Sequence, residues 1–349
     1  MSWGCRDSGS ITREQIDELA PIPAEKSSPL LPTRRKDGRE NSMKRVLKRI
    51  IRRAFEAGFD PSLLQPVVTQ VTRVLQHPVD KGTQILLTLR YQELARSGIT
   101  LPSLREIGFR SYSQNSEDGI LLYIFALIGM TNRTVVELCA GDGIQCNAAN
   151  LIINHQWHGL LFDGSAENIS KGRRFYAEHP DTFWQPPILV DAWITRDNIN
   201  GLIEKHGFCG QIDLLSLDMD GMDYWVLRAI ECIQPRVIVL ETVSPWGAER
   251  SVTVPYQADF VAKFFEGLPY CGASLPAFVK LLKGRGYRLV GMEGLGFNAF
   301  FVLNGLGEDV LPEITAVSCV QEVSYLPEAL RLKRTAALDH LRSLEYIEV

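Results

Sequence analysis

Residues 110–305 predict an α/β domain, a mostly parallel sheet with helices on both faces, closed by an antiparallel hairpin. After Arg110, short β-branched runs alternate with helical stretches, the pattern of βα units. The connections among the first five runs are long enough for crossover helices. The last two runs are joined only by Glu293–Asn298, so they pair antiparallel.

Taken in order, strands are expected at Arg133–Leu138, Gly159–Asp163, Pro187–Val190, Ile212–Asp218, Arg236–Glu241, Tyr287–Met292 and Ala299–Leu303. Ahead of them, residues 1–42 mix proline, serine and charge without periodicity and read as a flexible extension. Residues 43–109 read as an N-terminal helical region. Within it, Met43–Ala57 places Val46, Leu47, Ile50, Ile51 and Phe55 on one face and Lys44, Lys48, Arg49, Arg52 and Arg53 on the other. Such a basic amphipathic helix either docks on the domain or lies on an anionic membrane surface through residues 43–58. Two more helices are expected near Ser62–Gln76 and Thr83–Ser97, and residues 306–349 read as a C-terminal cap with a helix at Pro327–Leu344.

The composition narrows the classes of function. With 349 residues, 45% hydrophobic and 22% charged, the chain can bury a full domain. A net charge of −4 argues against nucleic acid as partner. Seven cysteines without a CxxC pair make a poor disulfide framework and predict a reducing compartment. The start of the chain carries charges within its first seven residues and lacks the apolar core of a signal peptide, and the longest aliphatic stretch, Ile120–Met130, is too short to span a bilayer. A soluble cytoplasmic protein is expected, with peripheral contact at the inner membrane face as the role open to the basic helix.

The first strand ends in VVELCAGDGIQCN, residues 135–147. A glycine-containing strand-to-helix turn lets the backbone approach a ligand and aims helix N–H groups at anionic atoms. Gly141 and Gly143 begin a dinucleotide fingerprint, but Cys146 stands where its third glycine belongs, which weakens an NAD(P) reading. Glu137 adds a carboxylate able to meet an ammonium group, which S-adenosylmethionine has and NAD lacks. Asp163 follows Gly143 by twenty residues, the spacing at which an acid meets ribose hydroxyls. The third strand leads to Asp191, Ala192 and Trp193, an acid for the adenine amino group and a ring to cover its face.

The fourth strand leads into Asp218, Asp220 and Asp223. Asp218 and Asp220 are candidates for the base that accepts a hydroxyl proton, whereas Asp223 suits a helix cap. With Glu241 they also offer the hard oxygen ligands of a Mg-type cation. His155 is a secondary candidate for general base.

With these motifs in order, together with SYSQNSEDGI (111–120) and GFNAFFV (296–302), the chain resembles the FkbM-type methyltransferases from about Tyr112 to Leu303. That resemblance implies a Rossmann-like class I methyltransferase sheet, S-adenosylmethionine as methyl donor, and a hydroxyl acceptor on a sugar, glycan or secondary metabolite. It puts Glu137, Gly141 and Gly143 at the methionine end, Asp163 at the ribose, Asp191 at the adenine, and Gln114 and Glu117 over the cofactor or acceptor. Cys139 departs from the family's glycine. It is the sole support for a second reading, a cofactor-binding scaffold without catalysis.

Overall fold

The computed structural model describes residues 79–243, 246–265, 268–322, 340 and 343–349. The extension over 1–42, the helices expected at Met43–Ala57 and Ser62–Gln76, and most of the one at Pro327–Leu344 lie outside the described residues. Asp80 opens α1 (Lys81–Arg96), accepting from the Thr83 amide at 3.0 Å, where the helix at Thr83–Ser97 is expected. The short α2 (Leu104–Ile107) carries a capping box between Ser103 and Glu106. Beyond it lies α3 (Glu117–Ile128), apolar on nearly every side and buried along almost its whole length.

From there the chain alternates strand and helix. The order is β1 (Thr134–Leu138), α4 (Ala149–His155), β2 (His158–Asp163), α5 (Ala166–Glu178), β3 (Ile188–Asp191), α6 (Ile199–Lys205), β4 (Gly210–Leu217), α7 (Asp223–Ala229) and β5 (Ile233–Glu241). After an irregular stretch come α8 (Leu275–Lys283), β9 (Tyr287–Met292), β10 (Asn298–Leu303) and α9 (Ala316–Glu322). Seven strands form one sheet in the order β3-β2-β1-β4-β5-β10-β9. The first five are mutually parallel, and β10 runs antiparallel to both β5 and β9. This is the Rossmann-like α/β sheet with terminal hairpin that the sequence predicts.

Both faces of the sheet are covered, so its strands read as continuous apolar runs rather than alternating ones. On one face Val136, Leu160, Leu215 and Ile238 pack with Ile203 of α6, Val226 of α7 and Phe278 of α8. On the other, Val135, Leu161, Leu214, Val239 and Phe300 pack with Ile120 and Ile124 of α3 and Ile152 of α4. Each such side chain removed from water contributes roughly 1.5–3 kcal/mol. Below the sheet, Asp213 of β4 meets Arg236 of β5 at 2.9 Å and accepts from the Thr131, Asn132 and Arg133 amides, fixing the loop that feeds β1.

The ladder of β4 and β5 starts earlier than expected, because Gly210↔Ile233 and Gln211↔Gln234 extend it past Pro235. Two small ladders are also additions to the sequence reading. β6 (Val252–Thr253) pairs with β11 (Ile347–Glu348), and β7 (Lys263–Phe265) with β8 (Leu268–Tyr270). Among the described residues no helix is long and apolar enough to cross a membrane.

Candidate functional site

The edge formed by the carboxyl ends of the parallel strands is where ligands bind in open α/β sheets. There the turn after β1 is built from left-handed backbone, with φ of 60° at Cys139, 59° at Gly141 and 70° at Gly143. The turn closes through Ala140 N to Phe162 O at 2.8 Å and Gly143 N to Ala140 O at 2.9 Å. Gly143 is favoured by its left-handed backbone, and a Cβ there would also lie 3.0 Å from Leu161 Cδ1, which would have to give way. Behind the turn α5 approaches so closely that a Cβ on Gly172 would sit 2.3 Å from the Asp142 carbonyl oxygen.

A cavity opens against this turn. It is lined by Gln114 from the loop before α3, by Glu137, Cys139 and Gly141 of the turn, by Gln145–Asn147 before α4, by Asp218 after β4, and by Asn298 at the start of β10. Gln114, Glu137, Gly141 and Asp218 were expected at the site from sequence; Gln145, Asn147 and Asn298 were not. All three stood within motifs that the sequence shows, Gln145 and Asn147 in VVELCAGDGIQCN and Asn298 in GFNAFFV, but without an assigned role.

The expected site residues meet here in different ways. Glu137 is buried, and its carboxylate accepts from Asn147 N at 3.0 Å, Ala148 N at 2.7 Å and Ser216 Oγ at 3.1 Å. It therefore anchors the entry to α4, and burial outweighs these donors to raise its pKa. Asp163 spans two turns, with one oxygen on the Gly141 amide at 3.0 Å and the other on the Ser165 amide at 2.9 Å and Asn168 Nδ2 at 3.1 Å. The first of these oxygens keeps a lone pair for a further donor. Asp191 lies in register with Asp163 and is exposed, and the Ala192 amide donates to the Asp163 carbonyl at 3.0 Å. Trp193 lies over Gly164, its Nε1 donating to the Ala258 carbonyl at 2.7 Å.

The SYSQNSEDG segment caps itself. One oxygen of Asp118 accepts from the amides of Ser111, Tyr112 and Ser113 at 2.6, 2.6 and 2.8 Å, which shapes the loop that carries Gln114 to the cavity. Burial nonetheless pushes the Asp118 carboxyl up to about 6. Glu117 is buried behind the cavity and accepts from Asn298 Nδ2 at 2.8 Å, so it reaches the site through Asn298.

Carboxylates cluster beyond Asp218. Oxygens of Asp218, Asp220 and Glu241 lie within 4.8 Å of one another, a donor set suited to a hard divalent cation. Asp223, expected as a helix cap, is the first residue of α7 behind Met222 at the N-cap, and its carboxylate instead accepts from the Met219 and Gly221 amides of the preceding turn at 2.9 and 3.1 Å. Burial and then the charges of Asp223 and Asp220 raise Asp218, while burial and Asp218 raise Glu241 further. Both causes favour the protonated form of Glu241.

His155 is not at this edge. It ends α4 ahead of β2, which places it at the amino ends of the strands, with Nε2 2.7 Å from Gln84 Oε1 of α1. Burial, with Lys81 and Arg133 nearby, pushes its pKa down to about 4, so it is neutral and structural. Its expected role as general base is corrected by helix direction, since a helix that begins at the ligand edge must end at the opposite one.

No family model matches the chain, and no curated protein matches it. Among solved structures it is similar to a magnesium protoporphyrin IX methyltransferase from Synechocystis PCC 6803 with bound SAM, at 11% identity over 54% of this chain and 78% of that one, with a TM-score of 0.33. A S-adenosylmethionine-dependent methyltransferase from Clostridium acetobutylicum is 12% identical over 63% and 98% of the two chains, with a TM-score of 0.35. The CcbJ methyltransferase from Streptomyces caelestis is 15% identical over 52% and 93%, with a TM-score of 0.34.

Proposed function

We propose that the protein is an S-adenosylmethionine-dependent methyltransferase of FkbM-like type that methylates a hydroxyl on a sugar, glycan or secondary metabolite. The observation that carries this reading is a cavity in which the left-handed turn after β1 faces Asp218, with Asp163 and Asp191 paired in register on the neighbouring strands. The turn lets backbone approach the cofactor closely, and the next two strands offer acids that a ribose and an adenine amino group would take up in that order.

Methyl transfer is an in-line displacement at a sulfonium carbon. The attacking oxygen forms its bond to the methyl as the sulfur–methyl bond breaks, and the hydroxyl proton leaves to a base. Alignment of the three atoms supplies much of the rate, and the base supplies a further factor. Asp218 is our choice for that base, because its environment moves it to about 7, near the pH at which such a base is most effective. Asp220 stands beside it and raises it. Asp218→Asn is expected to abolish transfer while cofactor affinity stays within about tenfold, roughly 1.4 kcal/mol. A fully active variant in a radiolabelled methyl-transfer assay sinks the assignment, and cofactor binding by the native chain without any turnover supports the scaffold reading instead.

A second reading follows from the three carboxylate oxygens. Asp218, Asp220 and Glu241 would hold a Mg-type cation, which lowers the pKa of a bound hydroxyl. In that case dialysis against a chelator removes activity and Mg²⁺ restores it. Activity indifferent to both leaves Asp218 as a metal-free base.

A further inference from the structure

Asn298 opens β10 directly opposite Glu241, and its side chain is buried, with 6% exposure, in the wall of the cavity. Its amide has one permitted orientation. Nδ2 donates to Glu117 Oε1 at 2.8 Å, and Glu117 also accepts from the Asn115 amide at 2.9 Å, so it acts as an acceptor toward both partners. Turning the amide over would set two acceptors against each other. The oxygen therefore faces away from Glu117, and among the described residues Oδ1 is buried without a hydrogen-bond partner.

A buried acceptor left without a donor costs about 1–3 kcal/mol, and folded chains rarely keep one without a use. The bond from Nδ2 to Glu117 also polarises the amide and strengthens its oxygen as an acceptor. Glu137, the acid expected to meet an ammonium, is already engaged by two amides and the Ser216 hydroxyl. The neighbouring Gln114 offers a second amide oxygen and Asp218 a carboxylate, so this wall is rich in acceptors. A group bearing several N–H donors and a positive charge is its natural complement, and a primary ammonium has three.

We propose that Asn298, braced by Glu117, is a cofactor-binding residue whose Oδ1 accepts a hydrogen bond from the α-ammonium of S-adenosylmethionine. The proposal rests on the cofactor reading above and moves the ammonium contact from Glu137 on β1 to the far side of the sheet. It also gives the SYSQNSEDG and GFNAFFV segments, 181 residues apart at Glu117 and Asn298, one shared task.

The test uses the full-length chain and two probes, S-adenosylhomocysteine and its analogue with the ammonium replaced by hydrogen, titrated by calorimetry into the native protein and Asn298→Leu. The native protein is expected to favour S-adenosylhomocysteine by roughly tenfold to a hundredfold, the range of a hydrogen bond to a charged group. In Asn298→Leu that preference falls to about threefold or less, while affinity for the deaminated analogue is unchanged, which also shows that the variant folds. Equal losses for both probes, or an undiminished preference, overturn the assignment while leaving the cofactor reading intact. A native protein that binds neither probe overturns both.

Discussion

Cys139 occupies a backbone conformation that suits glycine, with φ of 60°, inside a turn that also needs left-handed Gly141 and Gly143. A side chain there costs about 1–2 kcal/mol, because Cβ crowds the following carbonyl oxygen. The thiol gains no reactivity in return, since burial and the surrounding carboxylates push its pKa well up. Replacing it tests the strain apart from the thiol. Cys139→Gly should be more stable than Cys139→Ala by about 1 kcal/mol in urea denaturation, because both lose the sulfur and only glycine relieves the backbone. Equal stability of the two would mean that the surrounding turn has relaxed around the side chain. The sequence shows a cysteine here, but not that the turn takes a backbone conformation suited to glycine. At Glu137 the sequence likewise shows an acid at the strand end, but not that Asn147 and Ala148 claim it.

At the scale of elements, the sheet is legible because buried parallel strands are written as unbroken runs such as VVEL, LLF and VIVLE, set apart by helix-length segments. The ligand edge follows from it, since an acid just after such a run must lie at the carboxyl end of the strand. Glu137, Gly141 and Asp218 reach one cavity because they lie at or just past such strand ends, whereas Gln114 is brought there by the loop that Asp118 caps. What stays hidden are pairings with no period to announce them. β6 and β7 are two and three residues long, and the partner of β6 is at the end of the chain. Asn298 is hidden differently, since asparagine at a strand start reads as a turn residue until Glu117 is placed behind it. His155 misleads because residue type alone suggests a base, while its place at the end of the helix after β1 sets it at the amino ends of the strands. The ion pair beneath the sheet is a further case, where Asp213 is legible only as an acid at a strand entry. Its carboxyl would be raised by burial, but Arg236 and three amides hold it below the ordinary value. Asp213→Ala leaves the buried Arg236 without a counter-charge and frees the loop before β1, and should cost about 3–5 kcal/mol. Urea midpoints measure this, and a loss under about 1 kcal/mol would show that the loop is held by its other contacts.

For the whole molecule, these acids decide how stability depends on pH. Asp118, Asp218 and Glu241 all titrate above their ordinary values because they are buried, the last two also because they lie among other carboxylates. In the unfolded chain each ionises near pH 4. Between that pH and their folded values the native state binds more protons than the unfolded one, so stability falls as pH rises. The loss runs through about 6 for Asp118 and about 7 for Asp218. Two groups work in the other direction. The contribution of Asp213 is lost only as pH falls below its depressed value, outside this window. His155, from about 4 up to its unfolded value, adds stability as pH rises, one group against the three carboxylates that subtract over the same range. The ligand-free protein should therefore show a urea midpoint that declines steadily from pH 5 to pH 8, and Asp218→Asn should flatten the upper half of that decline. A midpoint that is level or rises over this range would mean that the carboxylates are already neutralised in the native state. Bound Mg²⁺ at Asp218, Asp220 and Glu241 would do so, and repeating the series with a chelator separates that explanation from a site that never needed a cation.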